Sequence, residues 1–255
     1  MKCIVALMIL CALVKARSSN SHLEWRITGG EETENHQYPF QALIYYTSTN
    51  GSLRFCGGVL ISERFVLTAA HCVDTAVNAT VYLGVHSIAG ISRKQKFASS
   101  TFIKHPQWSR KTLQNNLAII KLPQAAVYGE KVFKARLQCT NENLVGKNAT
   151  VVGWGMESKN VSMALALRHV ELEIVDNRKC SDAYRIPILD TQLCQSTPNG
   201  KSSCDGDAGG AVVMNDGWGD VLIGIISFGC KVGMPIVHTN IYPYRDWIAA
   251  VTAAK

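Results

Sequence analysis

Cysteine thiols and Asn-X-Ser/Thr sequons are the first residues of this chain whose type and spacing suggest chemistry. The 255 residues include nine cysteines, a high count for a reduced cytosolic protein, so oxidative pairing in a secretory compartment is expected. The N-terminus agrees. Lys2 precedes an apolar run from Ile4 to Val14, and Val14 and Ala16 place small side chains where a signal peptidase reads, which predicts a secretory signal over 1–16. That run falls well short of the roughly 20 residues needed to span a bilayer, and no later segment reaches that length. Removing the signal discards Cys3 and Cys11 and leaves Cys56, Cys72, Cys139, Cys180, Cys194, Cys204 and Cys230. The remaining number is odd, so at least one has no partner within the molecule. Sequons at Asn50, Asn78, Asn148 and Asn160 become glycan acceptors once the chain enters the secretory pathway.

The elements that must carry these groups are legible from patterning. Hydrophobic residues make up 47% and charged residues 18%, which excludes a disordered chain and permits a substantial core. Short β-branched and aromatic runs recur at Phe40 to Tyr46, Val59 to Ile61, Phe65 to Thr68, Val81 to Leu83, Ala118 to Leu122 and Thr150 to Val152. A second set covers Arg168 to Val175, Ala211 to Met214, Leu222 to Phe228 and Ile236 to Ile241. Breaks of Gly, Asn, Ser and Pro between them predict antiparallel β-structure. Only the tail, Tyr244 to Ala254, reads as a helix laying one face on the body.

Five separated segments carry a more specific pattern: Arg26-Ile27-Thr28-Gly29-Gly30; Phe55-Cys56-Gly57-Gly58-Val59-Leu60-Ile61 with Leu67-Thr68-Ala69-Ala70-His71-Cys72; Asn115-Asn116-Leu117-Ala118-Ile119-Ile120; Gly153-Trp154-Gly155; and Ser202-Ser203-Cys204-Asp205-Gly206-Asp207-Ala208-Gly209-Gly210-Ala211. In order and type they resemble the activation site, the CGGSLI and LTAAHC signatures, the NDIAL segment, the GWG turn and the SSCxGDSGGP segment of chymotrypsin/trypsin-like serine proteases. The resemblance implies an all-β fold of two packed antiparallel β-barrels, a cleft between them and a C-terminal helix. It implies a propeptide over 17–26, a homologue domain over 27–255 and the bridges Cys56–Cys72, Cys180–Cys194 and Cys204–Cys230. Cys139 is left over, either a buried inert thiol or an intermolecular link; the buried thiol is expected, because a small apolar residue needs no partner.

The same resemblance assigns the chemistry. A hydroxyl nucleophile, a histidine that takes its proton and a carboxylate that orients the histidine make up the catalytic triad. His71 stands at the histidine position, Asn116 at the carboxylate position and Ala208 at the nucleophile position. Ala208 offers no hydroxyl, and Asn116 can hold the imidazole in the wrong tautomer. The oxyanion hole implied at Gly206 and Ala208 is main chain and survives the replacements. Asp207 is present to receive the α-amino group that cleavage between Arg26 and Ile27 would free, so a proteolytic switch could outlive catalysis, or be inherited without use.

In the implied specificity pocket, Ser202 replaces the Asp of trypsins, Ile236 replaces a frequent Gly, and the stretch from Ser227 through Gly229 to Cys230 is short, so a narrow or closed pocket is expected. No metal or other cofactor is expected, since Val85 replaces the Glu of the family's calcium loop. Arg93, Lys94, Lys96, Lys104, Arg110 and Lys111 read either as an exosite for an acidic partner or polyanion, or as a solvated charged face.

Two functions compete. One is a secreted, inactive serine protease homologue, similar to the small gut-type chymotrypsin relatives of flies, that acts by binding a protein partner, protease or inhibitor as regulator, cofactor or decoy. Such a protein would be a monomer unless Cys139 links chains, with no nucleic-acid role. The other is a chymotrypsin-type endopeptidase, either weakly active through His71 and water or carrying an engineered Ala208. The accompanying Asn116, the Ala211 in place of Pro and the intact signal favour a natural homologue.

Overall fold

The computed structural model describes residues 30–91, 94–155, 164–231 and 233–253. Its strands are β1 Glu31–Glu32, β2 Gln41–Ser48, β3 Leu53–Ser62, β4 Phe65–Thr68, β5 Ala76–Leu83, β6 Gln95–Ser99, β7 Phe102–Lys104, β8 Ala118–Lys121, β9 Arg136–Leu137, β10 Asn148–Gly153, β11 Arg168–Val175, β12 Gln192–Gln195, β13 Ala211–Asn215, β14 Asp220–Phe228 and β15 Ile236–Asn240. Three helices join them: α1 Ala70–Val73, α2 Asn177–Tyr184 and α3 Arg245–Ala253.

The first sheet runs β6-β5-β2-β3-β4-β8-β7 and curls into a half-barrel. In the second, β10, β13, β14, β15, β12 and β11 follow one another, and β11 pairs with both β10 and β12, which closes a six-stranded barrel. Every ladder is antiparallel except that of β9 with β14. The alternation expected of such strands is visible in β11, where Val170, Leu172 and Ile174 are buried between more exposed neighbours.

The first and last described elements both cross over. Strand β1 adds to β11 of the second sheet, although it precedes the whole first barrel. Helix α3 and the turn just before it pack back on the first: the Tyr244 and Trp247 rings each lie 5.1 Å from His105, edge-on, and Tyr244 donates a 2.9 Å hydrogen bond to Asn115.

Two expectations need correction. The tail is not the only helix: α2 forms as well, its start capped by the Asp176 carboxylate accepting from the Arg178 N–H and its end turned by Arg185 at φ 56°. Its residues are polar and only Cys180 is buried, so no apolar period announces it. Cys139, expected to be buried, is an exposed free thiol. It follows the two-residue strand β9 on a surface loop, where its carbonyl accepts a 3.0 Å bond from Arg245.

The three bridges form as paired above, Cys56–Cys72, Cys180–Cys194 and Cys204–Cys230. Asn50, Asn78 and Asn148 are exposed, while Asn160 lies outside the described residues. No described helix is long and apolar enough to cross a membrane.

Candidate active site

The cleft is built where the two barrels meet backbone to backbone. Gly57 of β3 donates its N–H to the Ala208 carbonyl at 2.8 Å, and a Cβ on Gly57 would lie 2.6 Å from the Gly210 backbone. Thr68, at the end of β4, donates its hydroxyl to the Gly57 carbonyl at 2.8 Å. This contact leaves no room for side chains and brings the 204–210 turn beside α1, which carries His71.

The turn is held by its own main chain. Asp207 N–H reaches the Cys204 carbonyl at 3.0 Å, Gly210 N–H the Asp207 carbonyl at 2.9 Å, and Gly209 N–H the Ile226 carbonyl at 2.9 Å. Gly206 sits at φ 95°, a conformation that suits glycine, and a Cβ there would strike the Phe55 ring at 2.1 Å. Among the described residues the N–H groups of Gly206 and Ala208 have no hydrogen-bond partner.

Asn116 fixes the imidazole. The backbone N–H of His71 donates to Asn116 Oδ1 at 3.0 Å, and since a backbone amide can only donate, this identifies the oxygen end of the side chain. The NH2 end then lies 2.8 Å from His71 Nδ1 and donates to Ser227 Oγ at 2.7 Å. A protonated Nδ1 would set donor against donor at that 2.8 Å contact, although Oδ1 is also 3.2 Å away. Nδ1 therefore accepts, and the ring proton resides on Nε2. Burial lowers the His71 pKa below its ordinary value, partly opposed by the Asn116 hydrogen bond and the Asp74 charge, so the ring is neutral near pH 7. Asn116 is itself fully buried, and its carbonyl accepts from the Thr239 hydroxyl at 3.0 Å.

Behind the turn, Asp207 is fully buried. Its carboxylate accepts from the Gly155 N–H at 2.7 Å and the Cys204 N–H at 2.9 Å, yet burial outweighs these bonds and raises its pKa to about 6. Cβ atoms on Gly153 or Gly155 would approach this carboxylate to 2.0 and 2.2 Å, which explains both glycines of the Gly-Trp-Gly segment. Arg26 and Ile27 lie outside the described residues.

The open space over the turn is a cleft of about 700 Å³ lined by His71, Gly206, Ala208, Ser227 and Gly229 among others. Ser202 and Ile236 are buried and do not line it. The Ile236 backbone nevertheless abuts the wall, its Cα 3.0 Å from where a Gly229 Cβ would stand. Phe55, Leu113 and Phe228 contribute apolar lining to the cleft, and Arg54 and Asp205 contribute one charge of each sign. Sequence reasoning overlooked Leu113 and Arg54, and Ser227's bond to Asn116. The latter pair is 111 residues apart, and no local pattern links them.

Cys56 and Cys72 place their sulfurs beside His71, but both are consumed in a disulfide and offer no thiolate to a metal. In the basic region, Lys104 and Arg110 converge on Asp74 at 2.7 and 2.6 Å; Arg93 lies outside the described residues.

A half-barrel and a closed barrel meeting at such a cleft, with a histidine on one and a glycine-rich turn on the other, define a class of two-barrel hydrolase folds. The trypsin family model matches residues 27–248, and the chain belongs to that family. It is 35% identical to duodenase-1 of Bos taurus, over 94% of this chain and 95% of the relative. It is 34% identical to a collagenase of Hypoderma lineatum, over 88% and 86% of the two chains. The solved structure of HL collagenase superposes with a TM-score of 0.78 at 32% identity, covering 89% of this chain and 99% of that one. Mouse brain neuropsin gives 0.76 at 31% identity, over 88% and 99%.

Proposed function

We propose that this chain is a secreted, non-catalytic member of the trypsin family that acts by binding a partner in its cleft, as regulator, cofactor or decoy. The observation that carries this reading is the Asn116 amide donating to His71 Nδ1. An imidazole that accepts at Nδ1 carries its proton on Nε2 and cannot withdraw one from a nucleophile there. In the chymotrypsin-type triad an Asp-to-Asn change lowers turnover by about 10⁴-fold. Ala208, on the turn beside the ring, adds a second loss, since a methyl group cannot form an acyl-enzyme. Three family-type disulfides and exposed sequons at Asn50, Asn78 and Asn148 support an oxidising, glycosylating route.

The N–H groups of Gly206 and Ala208, unpartnered among the described residues, favour the second reading, an endopeptidase with residual activity through His71 and water. One experiment separates them. Secreted protein, cut after Arg26 by a trypsin-like protease, is incubated with a fluorophosphonate and with peptide substrates. No adduct and no hydrolysis is the expected result, and either a covalent adduct or turnover overturns the binding reading. Under the same reading, Ala208→Ser combined with Asn116→Asp revives hydrolysis well beyond either single replacement, since each restores one of the two missing groups.

A further inference from the structure

Replacing the triad carboxylate by an amide does more than disable a base. It turns the cleft-facing end of the imidazole from an acceptor into a donor, and that donor joins two others. The Gly206 and Ala208 N–H groups are unpartnered among the described residues, and both residues line the same cleft as His71. Among the described residues His71 Nε2 has only the Cys72 sulfur, a weak acceptor, at 3.8 Å. The same sulfur lies 3.7 Å from the Ala208 carbonyl, so the ring and the turn flank it together. Absence of a hydroxyl on Ala208 leaves that space open to a ligand oxygen.

We propose that the cleft captures the free C-terminal carboxylate of a peptide, one oxygen accepting from the Gly206 and Ala208 N–H groups and the other from His71 Nε2–H. An ionised carboxylate offers only acceptors, about four lone-pair directions on two oxygens, which suits the three donors of Gly206, Ala208 and His71. An uncleaved internal peptide bond brings one carbonyl oxygen and leaves Nε2–H unpaired. Apolar residues of the same cleft, Phe55, Leu113 and Phe228 among them, favour an apolar terminal residue. Arg54 adds attraction from the rim and Asp205 opposes it. In this arrangement the protein holds the product end of a chain that another protease has cut.

The inference rests on the non-catalytic reading, and the test keeps the two apart. N-acetyl-Ala-Ala-Pro-Leu as free acid and as C-terminal amide is titrated into the mature secreted protein by calorimetry at about pH 9, where the imidazole is neutral. The acid is expected to bind at least about tenfold more tightly, as charge-assisted hydrogen bonds imply, and to shift the His71 Nε2 resonance, which the amide leaves in place. Asn116→Asp, nearly isosteric, returns the proton to Nδ1 and is expected to abolish the preference. Equal binding of acid and amide, no binding of the acid, or an acid preference that survives Asn116→Asp overturns carboxylate capture. Each of these leaves the non-catalytic reading standing, because only hydrolysis or a fluorophosphonate adduct removes that one.

Discussion

Asn116 and Asp differ by one NH2 for one oxygen, yet the side chain decides which end of His71 carries the proton. Because Oδ1 is pinned by the His71 backbone N–H, turning the amide to bring its oxygen to the 2.8 Å contact with Nδ1 would break that bond, while the Ser227 hydroxyl could donate in place of accepting. Long-range proton–nitrogen NMR is expected to show the Nε2–H form in the native protein and the Nδ1–H form after Asn116→Asp; an Nδ1–H form in the native chain contradicts the geometry. A second histidine sets the acid limit. His238 of β15 is fully buried, with Nε2 2.8 Å from Gln195 Oε1, while the Gln195 amide donates to the Ala149 and Leu172 carbonyls. Burial lowers its pKa from 6.5 to about 3. Between those values the unfolded chain binds the proton and the folded chain does not, so this residue's contribution to stability falls as pH drops through that window. Unfolding free energy measured from pH 7 to 3 is expected to fall less steeply in His238→Gln, whatever that change costs at neutral pH.

The seam between β3 and the 204–210 turn works because neither side has a side chain. Gly57→Ala would drive a methyl into the Gly210 backbone at 2.6 Å, and backbone cannot swing aside as a flexible side chain can. The expected loss is about 1–3 kcal/mol or more. Gly129, with open space around its Cβ position and no positive φ, serves as the control; Gly129→Ala should stay within about 0.5 kcal/mol. Denaturant midpoints of the two variants decide the matter, and equal midpoints would show that the seam yields. The seam was readable in outline, because Cys-Gly-Gly and Gly-Gly-Ala stood out as motifs. Strands with β-branched runs, such as Phe65–Thr68 and Arg168–Val175, were found at their observed bounds. Others were silent. Strand β6, Gln95–Ser99, alternates polar residues around a single Phe97, and β12, Gln192–Gln195, is buried despite two glutamines, one of which bonds His238. Their strand character comes from partners far along the chain, which short-range patterns do not reveal.

At the scale of the molecule, Asp207 is the buried carboxylate that a freed Ile27 amino group would pair with under the proposed cleavage after Arg26. With its pKa raised from 3.8 to about 6, the folded chain binds a proton that the unfolded chain has released over that interval. Its contribution to stability is therefore present at low pH and declines as pH rises through about 4 to 6. A buried ammonium from Ile27 would remove the penalty on the charged form. Comparing uncut protein with protein cut after Arg26, the cut form is expected to lose this decline and to unfold at higher temperature at neutral pH. Identical profiles for both forms would mean that the buried carboxylate gains no such partner. The exposed thiol of Cys139 gives a second readout: it should react fully with a maleimide in native buffer, and a non-reducing mass should show a monomer carrying one added group. A disulfide-linked dimer would instead identify it as a bond between chains.

The crossing of the first and last described elements also governs the order in which the protein can be made. The first barrel lacks its covering helix until Arg245–Ala253 has been synthesised, and β1, among the first residues of the domain to appear, waits for β11. The second barrel has all its strands once Asn240 has been made, whereas the first waits for α3, although domains usually mature in order of synthesis. A ribosome that stops between the two would release a first barrel without its covering helix beside a second barrel with every strand in place.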